Sequence, residues 1–429
     1  MELLSISFNQ DSSALAVGAR KTFNLFNLPT TDDVNKMLPE NVLCTEDVVI
    51  VERLFSSSLI TYVTAQNPRR LQVCHYQKQQ EICHQMYPQK ILSVRLNRTR
   101  LVVCLEESLF IHNIKDMKIL HTIKDTPPNM LGVADLCPND ISYLAYPGSL
   151  QIGEVQVYDA CNLQAVVTIQ AHSSRIAALK FNEEGTKLAT ASEKGTVIKV
   201  FLASKGMKLF EFRRGMKRNA TIHSMGFSPD SLFLCCSSST ETVHVFKLDP
   251  KEERKIVEEG ASPITDHQQQ QAHSTPPDDQ FTGVQGKMKF LLFRDSACNR
   301  VAEHRRVNVV IIDDCLITPL LVGKVAIFRF FAAWFSYVGK TAASYMPAAM
   351  SDVFQQDRAF AQARLPQSGF KNVGALSYHR QKLRLIVASL DGYLYLFDFN
   401  KDEGGDCQLV KSHRLVVTYP QASASINNG

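Results

Sequence analysis

The sequence predicts an all-β fold, a seven-bladed β-propeller with a long interrupted loop in the sixth blade. Three observations predict it. Short alternating apolar segments recur roughly every 40–46 residues, bounded by turn residues. The clearest units carry four such segments, the strand count of a propeller blade. About seven units of this length close a ring, which removes the exposed strand edges that invite aggregation. A generic array of β-sandwich units would share the short strands and is the competing architecture.

The units follow in order. The first starts near Ile6, with Ser7-Phe-Asn-Gln-Asp11 and Ala14-Leu-Ala-Val17. The second starts near Val49, with Ile50-Val-Glu-Arg-Leu-Phe55 and Leu59-Ile-Thr-Tyr-Val63. The third, from Ile91, holds Leu101-Val-Val-Cys104 and Leu109-Phe-Ile-His112. The fourth, from Leu131, holds Tyr143-Leu-Ala-Tyr146 and Val155-Gln-Val-Tyr158. The fifth, from Ile176, runs through Gly185-Thr-Lys-Leu-Ala-Thr-Ala-Ser192, Thr196-Val-Ile-Lys-Val-Phe201 and Lys208-Leu-Phe-Glu-Phe212. The sixth, from Ile222, repeats it with Met225-Gly-Phe-Ser-Pro-Asp230 and Thr242-Val-His-Val-Phe246. The seventh, from Val373, holds Leu383-Arg-Leu-Ile-Val-Ala-Ser389 and Tyr393-Leu-Tyr-Leu-Phe397. This is the pattern of WD-type repeats, although the chain has a single Trp.

The pattern divides the chain into 1–249 (blades one to six, first part), 250–333, 334–415 and a flexible tail, 416–429. Lys251 to Gln280 is polar, with a glutamine run at Gln268–Gln271 and Pro276-Pro277. Its composition predicts a stretch that buries too little apolar surface to order itself. Gly286–Phe331 fits no repeat: Arg294, Arg300, Arg305 and Arg306 precede an apolar run. That run, Val307 to Val338, is broken by Asp313, Asp314, Pro319, Lys324 and Arg329, which argues against a transmembrane helix.

The chain has 429 residues and a net charge of +5, too mild to argue for nucleic acid. Its 11 cysteines follow no disulfide-framework spacing, and Met1-Glu-Leu-Leu-Ser-Ile-Ser-Phe8 is no signal peptide, so the expectation is a cytosolic protein. No cofactor is expected. Cys74-His75 and Cys83-His84 evoke zinc, but on facing strands of a hairpin alternation sends the Cys and His of each pair to opposite faces. Gly339-Lys340-Thr341 evokes a phosphate loop, yet Trp334 stands where that motif needs Gly. Nothing in the sequence identifies a catalytic triad or carboxylate pair, and no enzyme activity is expected.

The most informative residues are Arg213 and Arg214, at the end of the alternating run Lys208-Leu-Phe-Glu-Phe212. Neighbours on a strand point to opposite faces, so one arginine pair can serve two anion sites. Arg keeps its charge and presents a planar fork that matches phosphate oxygens. Gly215 is expected to let the backbone turn beside a ligand. Thr190, Ser192, Gly195, Thr196 and Lys199 lie on one side, and Ser238, Thr242 and His244 on the other. A solvated basic turn is the plain alternative. The phosphate reading requires that both guanidinium groups diverge and stay accessible.

Phe212-Arg213-Arg214-Gly215, set between Ala191–Phe201 and Ser238–Phe246, closely resembles the PROPPIN family and, within it, the WIPI-type proteins. Val51–Leu59, Leu96–Ser108, Tyr143–Ser149 and Asp391–Tyr395 resemble it too, so that the likeness covers about residues 5–249 and 334–415. The resemblance implies a propeller that binds membranes carrying phosphatidylinositol 3-phosphate and phosphatidylinositol 3,5-bisphosphate, and acts in autophagosome formation. It implies a first headgroup site of Thr190, Ser192, Gly195, Thr196, Lys199 and Arg213, and a second of Arg214, Gly215, Ser238, Thr242 and His244. Lys199 stands where the family commonly has Arg, which keeps the charge and loses the fork. It implies a membrane-inserting loop in the sixth blade, whose candidates here are Trp334, Phe335, Tyr337, Val338, Tyr345 and Met346; Trp and Tyr suit the bilayer interface. Arg98 and Lys115 match a surface that recruits the autophagy conjugation machinery, and with nearby Arg100 are expected to be strand-borne bases meeting an acidic helix. The implied location is cytoplasmic, peripherally on preautophagosomal (phagophore) and endosomal membranes. Gly286–Phe331 departs from the family pattern. A protein-only scaffold gripping an acidic or phosphorylated peptide is the alternative function.

Overall fold

In a computed structural model of the chain, residues 2–28, 40–215, 219–261, 359–379 and 382–415 are described. Their strands form five separate four-stranded sheets and one eight-stranded sheet. The eight-stranded sheet is two antiparallel four-stranded meanders, bridged by a short parallel pairing of Ala361 with Gly405 and Gln362 with Asp406. The described strands therefore make seven consecutive four-stranded meanders. The first strands of neighbouring meanders lie side by side all the way round, and the seventh meander returns to the first. The expected propeller is the architecture observed.

Each meander takes its strands in consecutive chain order, so no strand is exchanged to close the ring. Side chains close it instead. Leu15, Val17 and Phe26 of the first meander pack with Ile386, Leu394 and Leu396 of the seventh and with Leu415. Similar clusters join every neighbouring pair, because second and third strands alternate apolar residues to both faces.

The fifth meander positions the candidate site. Its strands are Ile176–Phe181, Lys187–Ser192, Val197–Leu202 and Met207–Arg213. Phe210 and Phe212 point from the outer strand toward the sixth meander, and Phe212 stacks on Phe246 with ring centroids 4.9 Å apart. The sixth meander comprises Ile222–Phe227, Phe233–Ser238, Thr242–Lys247 and, after a long intervening sequence, Ala361–Arg364.

One expectation is overturned. The polar stretch from Lys251 begins in a helix, Pro250–Ala261. The Asp249 carboxylate accepts from Lys251 N–H at 2.8 Å, Pro250 opens the first turn, and Glu252 and Glu253 complement the helix dipole. Ile256 and Val257 then pack on the cluster shared by the fifth and sixth meanders, and Lys187 Nζ meets Glu253 Oε1 at 3.0 Å. This adjacent apolar pair docks the helix, and mean composition hides it. The Gly286–Phe331 segment lies outside the described residues.

Phe26→Ala tests the closure. Its side chain is 1% exposed in the closing cluster, so truncation should cost about 3–5 kcal/mol in urea unfolding. A loss under about 1 kcal/mol would show that the ring is held elsewhere.

Candidate phosphate-binding sites on the fifth and sixth meanders

Cross-strand pairing fixes which residues share a face. Thr190 pairs with Lys199, Lys199 with Glu211, and Val197 with Arg213. Thr190, Ser192, Lys199, Glu211 and Arg213 thus occupy one face of the fifth meander, turned toward the fourth. The opposite face carries Ile198, Phe210 and Phe212, against the sixth meander. Arg214 follows Arg213 and turns to that opposite side. Its charge helps to depress the pKa of His244 on the sixth meander, and that of the Cys236 thiol, which burial raises to about 12. The expected divergence of the two arginines is observed.

Their exposure differs, and here the sequence expectation is corrected. Arg213 is exposed. Arg214 is 9% exposed, with Nε donating to the Gly195 carbonyl at 2.6 Å and its backbone N–H to the Thr196 carbonyl at 2.9 Å. An arginine aimed between two packed meanders loses most of its water, whereas one aimed along the outer edge does not.

The first site is less open than its residue types suggest. Thr190 is fully buried, and its hydroxyl contacts His172 Nε2 at 2.9 Å and the Lys199 carbonyl at 3.4 Å. Ser192 is also buried, while Thr196 and Lys199 are half-buried. Second strands are covered on both sides in a ring, so Thr190 supports the site from beneath. His172, at the end of the fourth meander's outer strand Gln164–His172, is the residue that sequence reasoning missed. The signal was present as a polar terminus to an outer strand, but only the ring brings it to Thr190. Burial, with the Lys199 charge, holds its pKa down at about 4.

Glu211 was missed as well. Its carboxylate lies 3.0 Å from Lys208 Nζ and 3.7 Å from Lys199 Nζ. Burial opposes its ionisation, yet the Lys208 hydrogen bond and the charges of Lys199, Lys208 and Arg213 hold its pKa below the usual carboxylate range. An arriving anion must compete with it for these cations.

Gly195 has φ of +60°, and a Cβ there would lie 1.8 Å from the Ala220 carbonyl oxygen. Its place in the turn is obligatory, and its carbonyl serves Arg214 rather than the first site. Gly215 is different: its φ is not positive and a Cβ would meet nothing within 4 Å.

In the second site Ser238 is fully buried, its hydroxyl 2.9 Å from that of Thr240. Thr242 is half-buried and pairs with Arg364; His244 pairs with Cys236 and Gln362. His244 is 9% exposed, its buried Nδ1 has no hydrogen-bond partner, and burial plus the Arg214 charge keep its pKa near 4. It is a neutral, unsatisfied donor or acceptor beside a guanidinium.

Arg98 and Lys115 are exposed, on the turns after strands Ser93–Leu96 and Leu109–Asn113. They are turn-borne, not strand-borne, and Arg98 lies 4.1 Å over the Phe55 ring. Arg100 is committed elsewhere: it donates to the Ala160 and Cys161 carbonyls at 2.7 and 3.3 Å, tying the third meander to the fourth. Turns joining first to second and third to fourth strands lie at one end of a meander. The Gly195 turn joins second to third strands, so these bases and the arginine pair belong to opposite ends of the ring.

Trp334, Phe335, Tyr337, Val338, Tyr345 and Met346 lie outside the described residues. Among the described residues no three metal-ligating side chains gather, and no helix is long and apolar enough to cross a membrane. His75 and His84 are engaged by Ser58 and Glu81.

The histidines give a testable consequence. Both titrate near 4 in the fold against about 6.5 unfolded. The unfolded chain binds more protons between those values, so their contribution is present above about pH 6.5 and is lost as pH falls toward 4. In NMR titrations His172 and His244 should stay neutral at pH 6; titration near 6.5 would refute their burial.

The chain matches the PROPPIN family model over residues 2–262 and 329–416. It is 43% identical over 418 residues to WD repeat domain phosphoinositide-interacting protein 2 of Xenopus laevis, covering 96% of this chain and 79% of that protein. It is 42% identical to WD repeat domain phosphoinositide-interacting protein 1 of Homo sapiens (96% and 77% covered), and 35% identical to autophagy-related protein 18 of Caenorhabditis elegans (96% and 85%). Among solved structures, the complex of KlAtg21 with the coiled coil of AgAtg16 has a TM-score of 0.64 at 20% identity, covering 97% of this chain and 100% of that one. Kluyveromyces lactis Hsv2 with complete loop 6CD has 0.63 at 18% identity (97% and 99%), and both likenesses concern the fold alone. With the family model covering most of its length and relatives above 40% identity, the chain belongs to the PROPPIN family.

Proposed function

We propose that this protein is a non-catalytic phosphoinositide effector of autophagy. It binds phosphatidylinositol 3-phosphate and phosphatidylinositol 3,5-bisphosphate at two sites and recruits autophagy machinery to the forming autophagosome membrane. The observation that carries the reading is the splay of Arg213 and Arg214 to opposite faces of one outer strand. Curated relatives are named for interaction with phosphoinositides, and a structural neighbour is complexed with the Atg16 coiled coil.

The first headgroup site lies at the junction of the fourth and fifth meanders. Arg213 supplies the exposed fork, Lys199 a second cation, and His172 and Ser192 the polar wall. The second lies between the fifth and sixth, where Arg214, His244 and Thr242 converge and Gly195 steadies the guanidinium. Arg214 does not meet the accessibility asked of both guanidinium groups, so this second site rests on the splay and on the converging polar groups, and its enclosure makes it the narrower of the two. Each site alone binds weakly; two on one rigid ring give avidity on a membrane. Insertion of Trp334, Phe335, Tyr337, Val338, Tyr345 and Met346 would add apolar anchoring. Arg98 and Lys115, at the other end of the ring, face a protein partner while the lipid sites are occupied. The protein would then sit peripherally on phagophore and endosomal membranes.

A charge-assisted hydrogen-bonded contact contributes about 1.5–3 kcal/mol, so Arg213→Ala or Arg214→Ala should each weaken vesicle binding roughly 10- to 100-fold. The double variant should lose flotation with vesicles containing 3-phosphorylated lipid and keep a cooperative thermal transition, lowered by loss of the buried Arg214 contact to Gly195. Retained flotation would reject the sites, and binding to a phosphorylated peptide without lipid would favour the scaffold reading. Arg98→Glu should leave flotation intact and lose the partner in a pull-down; undiminished partner recovery counts against that surface.

A further inference from the structure

One register position can be compared around the whole ring: the outer-strand residue paired with the first residue of the third strand. In the first three meanders it is Leu43 (opposite Thr22), Met86 (opposite Arg70) and Ile123 (opposite Leu109). In the fourth it is His172, opposite Gly153. In the fifth, sixth and seventh it is Arg213, opposite Val197; Arg364, opposite Thr242; and Arg414, opposite Tyr393. The edge is apolar over three meanders, where Leu43 and Met86 are 71% and 59% exposed, and guanidinium-bearing over another three.

Arg364 and Arg414 are both exposed, and neither side chain makes a hydrogen bond or ion pair with any described residue. Some exposed cations on the ring are paired, such as Arg20 with Glu2, Arg175 with Glu193 and Lys382 with Asp398, and others, such as Lys90 and Lys124, form no ion pair among the described residues; what sets Arg364 and Arg414 apart is their register with Arg213. The nearest acids by register do not neutralise the two arginines. Asp391, in the seventh meander's turn, accepts from the Tyr395 hydroxyl at 2.7 Å and from the Tyr393 N–H at 2.9 Å. Glu241, in the sixth meander's turn, forms no ion pair among the described residues, and its carbonyl accepts from Leu365 N–H. Both guanidinium groups are in register with Arg213: Arg364, paired with Thr242, lies on the face that carries the second headgroup site, and Arg414 extends the positive edge one meander beyond it.

We propose that Arg364 and Arg414 form, with Arg213, a continuous basic edge over three meanders that lies against the anionic lipid surface beside the headgroup sites. The inference rests on the reading of Arg213 and Arg214 as lipid-binding. It adds a contact that needs no 3-phosphate and responds to the net charge of the bilayer. Basic side chains near an anionic leaflet act through the surface potential and lose their effect beyond a Debye length. The edge would orient the ring so that the fifth to seventh meanders face the membrane, and leave the apolar edge of the first three turned away.

The test uses the full chain and three vesicle types: phosphatidylcholine with phosphatidylinositol 3-phosphate, the same with added phosphatidylserine, and phosphatidylcholine with phosphatidylserine alone. Arg364→Ala with Arg414→Ala should weaken binding to the second type by roughly 20-fold, about fivefold per side chain. On the first type the change should stay under about twofold. Arg364→Lys with Arg414→Lys should restore most of the loss, because surface charge rather than fork geometry is required. An equal loss on vesicles of the first type and for the soluble inositol 1,3-bisphosphate headgroup would place the arginines in the sites themselves and overturn the proposal. So would unchanged binding to phosphatidylserine-containing vesicles, or capture of polyglutamate with no response to vesicles. Vesicles of the third type separate the two readings. If the headgroup sites are wrong, the 3-phosphate has no effect on the wild type, yet the double variant still loses its binding to phosphatidylserine.

Discussion

The stack of Phe212 on Phe246 fixes the arrangement on which the sites depend. A strand can turn only alternate residues to one face. Once Phe210 and Phe212 are committed to the cluster shared with the sixth meander, Arg213 must face the fourth and Arg214 must return toward the sixth. The aromatic pair itself contributes about 0.5–1.5 kcal/mol beyond its burial. Its larger consequence is directional: a slip by one residue would send both guanidinium groups to the wrong neighbours.

The ring then turns one strand end into two different environments. Arg213 stays in water beside Lys199 and the competing Glu211 carboxylate. Arg214 is shut between meanders, held by the Gly195 carbonyl and facing a neutral His244 whose Nδ1 is unsatisfied. Electrostatics are stronger in the second setting and access is poorer. Two proposed sites with the same cation type therefore need not share affinity or selectivity. The tight turn at Gly195, whose positive φ and lack of room for a Cβ demand glycine, touches both the Ser192 carbonyl and Arg214.

The repeat period, the alternation and the arginine pair were legible in the sequence because each is local: strand, turn and face follow from a few neighbours. The residues that escaped are those that the ring brings from elsewhere. His172 reaches Thr190 from the preceding meander, and the outer-edge series ending in Arg364 and Arg414 appears only when strand pairings are laid side by side. Exposure was the other weakness. Thr190 and Ser238 look like ligand hydroxyls by type, but a second strand is covered on both sides, and both are buried. The helix from Pro250 was missed because mean polarity outweighed the Asp249-Pro250 start signal and the adjacent apolar pair Ile256-Val257.

Calorimetric stoichiometry with a soluble inositol 1,3-bisphosphate headgroup addresses the splay most directly, since no bilayer or insertion contributes. The account predicts two sites on the wild type, one on Arg213→Ala, one on Arg214→Ala, and none when both are changed. A single site on the wild type, abolished by either substitution, would mean that the two guanidinium groups share one ligand, and would contradict it.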